Sequence, residues 1–165
     1  LLDAQLSGSY TISQVGLEGL RPADLDACIA ILLAGGAVNV VSARSELPKA
    51  ATLAIARYEH SQGPIVGLGA IKRRRPQYAL KQSENSGIIF DPSSLELGYI
   101  AVDPKHRQKG LAGNLLSDLV SRYNGPLWAT TDAVWMKKAL AREGFVQRGR
   151  EWQGSRGVLS LWLRD

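Results

Sequence analysis

The chain has 165 residues, 45% hydrophobic and 21% charged, with a net charge of +5 from 20 Lys and Arg against 15 Asp and Glu. That length suits one domain, 1–165, with a core that needs no metal or disulfide staple, and the single Cys28 excludes a disulfide framework and fits a reducing compartment. Apolar runs such as Ile29 to Leu33 fall far short of the ~20 residues of a spanning helix, and Leu1-Leu2-Asp3 starts no secretory signal, so a cytoplasmic enzyme without a membrane partner is expected.

Ser9 to Val15 alternates and is rich in β-formers, which predicts a first strand. Arg21-Pro22-Ala23-Asp24 opens a helix with proline near its first turn. Leu25, Ile29, Leu32 and Leu33 make its apolar face, and Gly35-Gly36 end it. A second helical stretch spans Val38 to Ala50, with Pro48 as its start or break. Leu53 to Tyr58 and Ile65 to Ile71 read as a hairpin about His60-Ser61-Gln62-Gly63-Pro64. The second run is apolar throughout, as a strand covered on both faces should be. Lys72-Arg73-Arg74-Arg75-Pro76 follows, then polar sequence to Ser94. A connection that long is either functional or unstructured.

Leu95 to Val102, rich in β-formers, predicts a buried strand that Asp103-Pro104 breaks. The basic, glycine-punctuated segment Lys105 to Gly113 comes next. Leu111, Leu115, Leu119 and Tyr123, with Ala112, Leu116 and Val120 beside them, then fall at helical spacing. A strand, a tight basic turn and a helix start aim free N–H groups and the helix dipole at one spot, which suits a phosphate. Asn124-Gly125-Pro126 is a turn, Leu127 to Thr131 a short strand, and Ala133 to Arg142 a helix ending at Gly144. Phe145 to Trp152 and Val158 to Leu163 are strands, the last half buried through Leu159, Leu161 and Leu163. The order β-α-α-β-β-β-α-β-α-β-β predicts an α+β or α/β domain on a mixed sheet.

Arg107-Gln108-Lys109-Gly110-Leu111-Ala112 fits the pattern Arg/Gln-x-x-Gly-x-Gly/Ala. With Glu96-Leu97-Gly98-Tyr99-Ile100-Ala101-Val102-Asp103-Pro104 before it and Glu143-Gly144-Phe145 after it, the chain resembles the GNAT superfamily of acyl-CoA N-acyltransferases over roughly its last two thirds. That resemblance implies a mostly antiparallel mixed sheet of six to seven strands flanked by about four helices. Its fourth and fifth strands would splay to admit the cofactor. It also implies acetyl transfer from acetyl-CoA to a primary amine by direct attack in a ternary complex. Backbone N–H groups of Gln108, Lys109, Gly110, Leu111, Ala112 and Gly113 would cradle the pyrophosphate, with Arg107 and Lys109 adding charge. The plain alternative is a solvated basic turn that begins a helix. The pantetheine arm would pair with the backbone of Ile100, Ala101 and Val102, and Thr131 stands where the family often places an asparagine against the cofactor.

Attack on a thioester needs a neutral amine, and a proton acceptor helps. Glu96 occupies the position at which some GNAT members carry a catalytic glutamate. Strand alternation sets it on one face with Gly98, Ile100 and Val102, and Tyr99 on the other. Read from the strand alone, Glu96 is a solvated or ion-paired carboxylate. Leu140 occupies the family's usual acid position, a tyrosine. Arg73-Arg74-Arg75 reads either as a lining for an anionic acceptor, peptide or nucleic acid, or as a solvated face. Trp152 and Trp162 suit core filling, and His60 and His106 lack the partner spacing of a metal site. The acceptor is expected to be a small-molecule or peptide amine, and the chain a monomer or homodimer.

Overall fold

The computed structural model describes residues 9–16, 19–36 and 39–165. Its elements, in order, are β1 (Tyr10–Gln14), α1 (Pro22–Gly35), α2 (Val40–Glu46), β2 (Thr52–Tyr58), β3 (Ile65–Ile71), α3 (Pro76–Ser86), β4 (Leu95–Val102), α4 (Leu111–Ser121), β5 (Leu127–Thr131), α5 (Val134–Arg142), β6 (Val146–Gln153) and β7 (Val158–Arg164). The strands form one sheet in the order β1-β2-β3-β4-β5-β7-β6. Every neighbouring pair is antiparallel except β4 and β5. That parallel pair is joined through α4, because parallel neighbours need a crossover.

Helices cover both faces. Leu111, Leu115, Leu116, Leu119 and Val120 of α4 pack with Met136, Ala139 and Leu140 of α5 against Leu97, Val102 and Leu127 of the sheet. On the opposite face, Cys28, Ile29, Ile31 and Leu32 of α1 pack with Ala43 of α2 against Leu53, Ile55, Leu68 and Ala70. β3 lies between these layers and all seven of its residues are buried, as its unbroken apolar run predicts. Burial pushes the Cys28 thiol up to about 12, so it is inert packing rather than a nucleophile. Leu33, expected on the inward face of α1, is 63% exposed. Ile31 is buried instead.

Among the described residues there are five α-helices rather than about four. The additional one is α3, which occupies the polar stretch read as a long loop. Pro76 sits in its first turn and Gly87, in the left-handed region, closes it. Its buried side chains are Gln82 and Ser86, so no apolar stripe announces it. The second predicted helix is shorter than expected: Asn39 caps α2 at Val41 and Ser42. Pro48 falls in a single 3₁₀ turn after it. Residue 38, where that helix was expected to begin, lies outside the described residues. β7, expected to be half buried through Leu159, Leu161 and Leu163, is instead buried on both faces at its centre, at Ser160, Leu161 and Trp162, while Leu159 and Leu163 are partly exposed. None of the described helices is long and apolar enough to cross a membrane.

β6 is the exposed edge strand, and α3 docks on it through a glycine. Gly149 has φ +72°, and a Cβ there would collide with the Ser86 carbonyl and lie 2.6 Å from Ile88 Cγ1. Arg150 beside it donates to the carbonyls of Asn85 and Glu84 at the end of α3. Gly149→Ala should therefore cost about 2–4 kcal/mol, from left-handed strain plus overpacking. Thermal unfolding should show a Tm lower by roughly 5–15 °C. An unchanged Tm would mean that α3 is not seated as described.

Candidate active site

β4 and β5 are neighbours only at their starts, where Leu95 faces Leu127 and Glu96 faces Trp128. Beyond Glu96 the two strands diverge, and a cleft of about 450 Å³ opens between them. Its walls come from Glu96–Ile100 of β4, from the end of β5 and the start of α5, and from the β6–β7 turn. Asn39 and Ser42 close it on the α2 side.

A bulge shapes the β4 wall. Ala70 pairs with Gly98 and Leu68 with Ala101, so the single Gly69 opposes both Tyr99 and Ile100. Tyr99 takes φ +56°, unusual for a side chain of that size. The extra residue corrects the simple alternation expected of this strand. Ile100 and Val102 pack into the α4 layer. Tyr99 packs on the α1 side, and the Lys72 ammonium lies 4.1 Å from its ring centre. The bulge thus separates Glu96 from Ile100 and Val102 and turns Tyr99 toward Glu96's partners.

Glu96 is 7% exposed and held by two cations. Lys72 Nζ lies 3.1 Å from Oε2 and Arg75 Nη2 lies 2.7 Å from Oε1. Lys72 is the first residue after β3, and its stem runs across Gly98, where a Cβ would sit 2.7 Å from Lys72 Cε. Arg75 precedes the first turn of α3 and stacks over Tyr78, 4.3 Å from ring centre to guanidinium carbon. Burial pushes the Lys72 ammonium below its ordinary value, against the pull of Glu96. Burial also raises the Tyr78 and Tyr99 hydroxyls, which keep their protons at neutral pH.

The sequence reading missed Lys72 as part of this site; it offered Arg75 as a lining for the acceptor, and Tyr78 and Tyr99 only as weak candidates for the acid. Its basic run was legible, but not that its first member follows a fully buried strand and is drawn inward with it. Arg73 turns outward to a bidentate pair with Glu46, at 2.7 and 2.8 Å.

The predicted phosphate turn stands apart from the cleft lining, after the C-terminal end of β4. Arg107, Gln108, Lys109 and Gly110 are exposed. Gln108 and Gly110 adopt φ +63° and +76°. Among the described residues no acceptor takes the amides of Gln108 to Gly113. Leu111, Ala112 and Gly113 are the first residues of α4 and Gly110 its cap, so these amides are the ordinary orphans of a helix start. Arg107 folds back, its Nε donating to the Val102 carbonyl at 3.3 Å. Ile100 and Thr131 both line the cleft, while Ala101 and Val102 continue β4 toward the turn. The Thr131 hydroxyl accepts from the Ala133 amide. Leu140 is fully buried and offers no acid. Among the described residues no group of three His, Cys, Asp or Glu could hold a metal.

Two features fit a CoA thioester. From Leu97 onward β4 has no partner on its β5 side, so that edge can take an extended amide chain. The exposed turn beyond it suits the diphosphate, since nothing lies within 4 Å of where a Gly110 Cβ would be.

No family model and no curated protein matches the sequence. Solved structures do match. An acetyltransferase of the GNAT family from Streptococcus agalactiae aligns at TM-score 0.68 and 15% identity, over 94% of this chain and 94% of that one. An acyl-CoA N-acyltransferase from Pseudomonas aeruginosa aligns at 0.65 and 12%, over 95% of this chain and 100% of that one. YncA from Salmonella typhimurium, solved with its cofactor acetyl-CoA, aligns at 0.64 and 15%, over 95% and 94%. At these identities the likeness is one of architecture, and it extends over nearly the whole chain: this protein has the GNAT fold.

Proposed function

We propose that this protein is an N-acyltransferase that moves an acetyl group from acetyl-CoA to a primary amine by direct attack in a ternary complex. The observation that carries this reading is the cleft between β4 and β5, with the unpaired β4 edge on one side and the ion-paired Glu96 at its closed end. When bound, acetyl-CoA supplies the activated acyl carbon as a thioester. The backbone of Ile100, Ala101 and Val102 holds the pantetheine amides, and the turn from Arg107 to Gly113 holds the diphosphate through its main-chain amides. Thr131 borders the same channel from β5.

Glu96 takes the proton that the amine nitrogen must lose, directly or through water. Two neighbouring cations fix the carboxylate in place. Proton transfer to it comes late in the reaction, because a nitrogen already bonding to carbon is far more acidic than a free ammonium. No side chain need serve as the acid, since a thiolate is a tolerable leaving group.

Thiol release from acetyl-CoA in the presence of a panel of primary amines, with products identified by mass, tests this reading. Release is expected only when an amine is present. A protein that binds CoA in calorimetry yet releases no thiol with any amine would be a binding module instead.

A further inference from the structure

The charges around Glu96 bear on which amine is accepted. Of the ionisable side chains on the cleft wall, Lys72, Arg75 and Arg156 are cationic, while Glu96 and Asp132 are anionic. Both oxygens of Glu96 are already taken, Oε1 by Arg75 and Oε2 by Lys72. Asp132 lies at the exposed rim beside the β6–β7 turn. The inner end of the cleft therefore has no carboxylate left for a second ammonium, and its walls carry a surplus of positive charge. An acceptor with several cationic groups would meet repulsion there.

Arg75 has capacity to spare. It spends Nη2 on Glu96, and among the described residues Nε and Nη1 have no acceptor. Its guanidinium is steadied by the Tyr78 ring, and its side chain is 24% exposed on the cleft wall. A planar fork held in place on the cleft wall, with donors to spare, matches a carboxylate. Those donors belong to the same guanidinium that grips Glu96 at 2.7 Å. A carboxylate bound there and Glu96 would flank one guanidinium, close enough for an amine on the carbon next to that carboxylate to reach Glu96.

We infer that the acceptor is a free α-amino acid, its carboxylate received by Arg75 and its amine presented beside Glu96. This rests on the acyltransferase reading above and assigns Arg75 as the residue that selects the substrate.

The test compares free amino acids with their carboxamides, L-phenylalanine with L-phenylalaninamide and L-leucine with L-leucinamide, and adds spermidine as a cationic amine. Rates are referred to the concentration of neutral amine, because amidation lowers the amine pKa. The wild-type protein should favour each acid over its amide by at least about tenfold in kcat/KM, and spermidine should be poorest. In Arg75→Gln the acid-to-amide ratio should fall by about tenfold, mainly through a higher KM for the acid. Arg75→Lys, which keeps the charge and loses the fork, should recover only part of the ratio.

Equal use of acid and amide, or preference for spermidine, overturns the inference, and the wild-type comparison gives that answer even if the variants misfold. So does an Arg75→Gln that lowers both substrates alike. Acetylation of the amides or of spermidine alone would leave the acyltransferase reading standing. Silence from every amine would remove both.

Discussion

Replacing Glu96 by glutamine should lower kcat for amine acetylation by roughly 10²–10⁴-fold, the usual contribution of a positioned proton acceptor. CoA affinity should stay unchanged, because Glu96 lies at the closed end of the cleft, away from the phosphate turn. The same substitution strips Lys72 of its partner at 3.1 Å. Leaving one member of a buried pair unmatched costs about 3–5 kcal/mol, so activity and stability must be measured on the same sample.

The pH dependence separates the two effects. Lys72 in the folded protein titrates below its ordinary value because burial outweighs the attraction of Glu96. A lysine depressed in this way binds fewer protons folded than unfolded. Stability therefore rises with pH from the folded pKa up to the unfolded one. Without Glu96 the folded pKa falls further and this window widens downward. The stability deficit of Glu96→Gln should accordingly be largest near neutral pH and shrink as the pH approaches about 10, where the lysine needs no counter-charge. Urea unfolding of both proteins across that range checks it. A deficit independent of pH would mean that Lys72 does not depend on Glu96. A full loss of activity at a pH where stability has recovered would identify the carboxylate with the chemistry.

Much of the scaffold was legible because its strands carry their own punctuation. β3, β4 and β5 are apolar runs rich in β-formers, bounded by Pro, Gly and charged residues, and their observed limits coincide with the runs. The turn after β4 was legible for the same reason: Pro104 ends the strand and Gly110 caps the next helix. What escaped depends on contacts between residues far apart in sequence. Glu96 meets partners 24 and 21 residues upstream, and a lysine after a strand ordinarily reads as solvated. The bulge at Tyr99 has no local marker, because Gly98-Tyr99-Ile100 continues a strand pattern without interruption. Opposite it across the ladder stands Gly69, where a Cβ would strike Ile100 Cδ1. α3 stayed hidden because it turns polar residues inward and is seated by Gly149 and Arg150 of a distant strand.

The second large effect is expected at the phosphate turn. Gly110 adopts φ +76° with open space where its Cβ would be, so the Cβ of Gly110→Val meets no clash in the free protein. The substitution should cost only about 1–2 kcal/mol, the strain of a left-handed residue with a side chain. For a diphosphate seated on this turn, as proposed, the same position would be critical. The added side chain would occupy the approach to the amides of Gly110 to Gly113. Losing one or two hydrogen bonds to a charged group, about 1.5–3 kcal/mol each, weakens CoA by roughly 10- to 100-fold or more. Pantetheine, which lacks the diphosphate and on the proposed reading would contact only the β4 edge, should bind the variant as well as it binds the wild type. Calorimetry with both ligands distinguishes the outcomes. Equal losses for CoA and pantetheine would point to a distorted strand, and no loss for either would place the diphosphate elsewhere. A loss confined to CoA would tie the turn to the phosphates, and with it the direction in which the thioester enters the cleft toward Glu96.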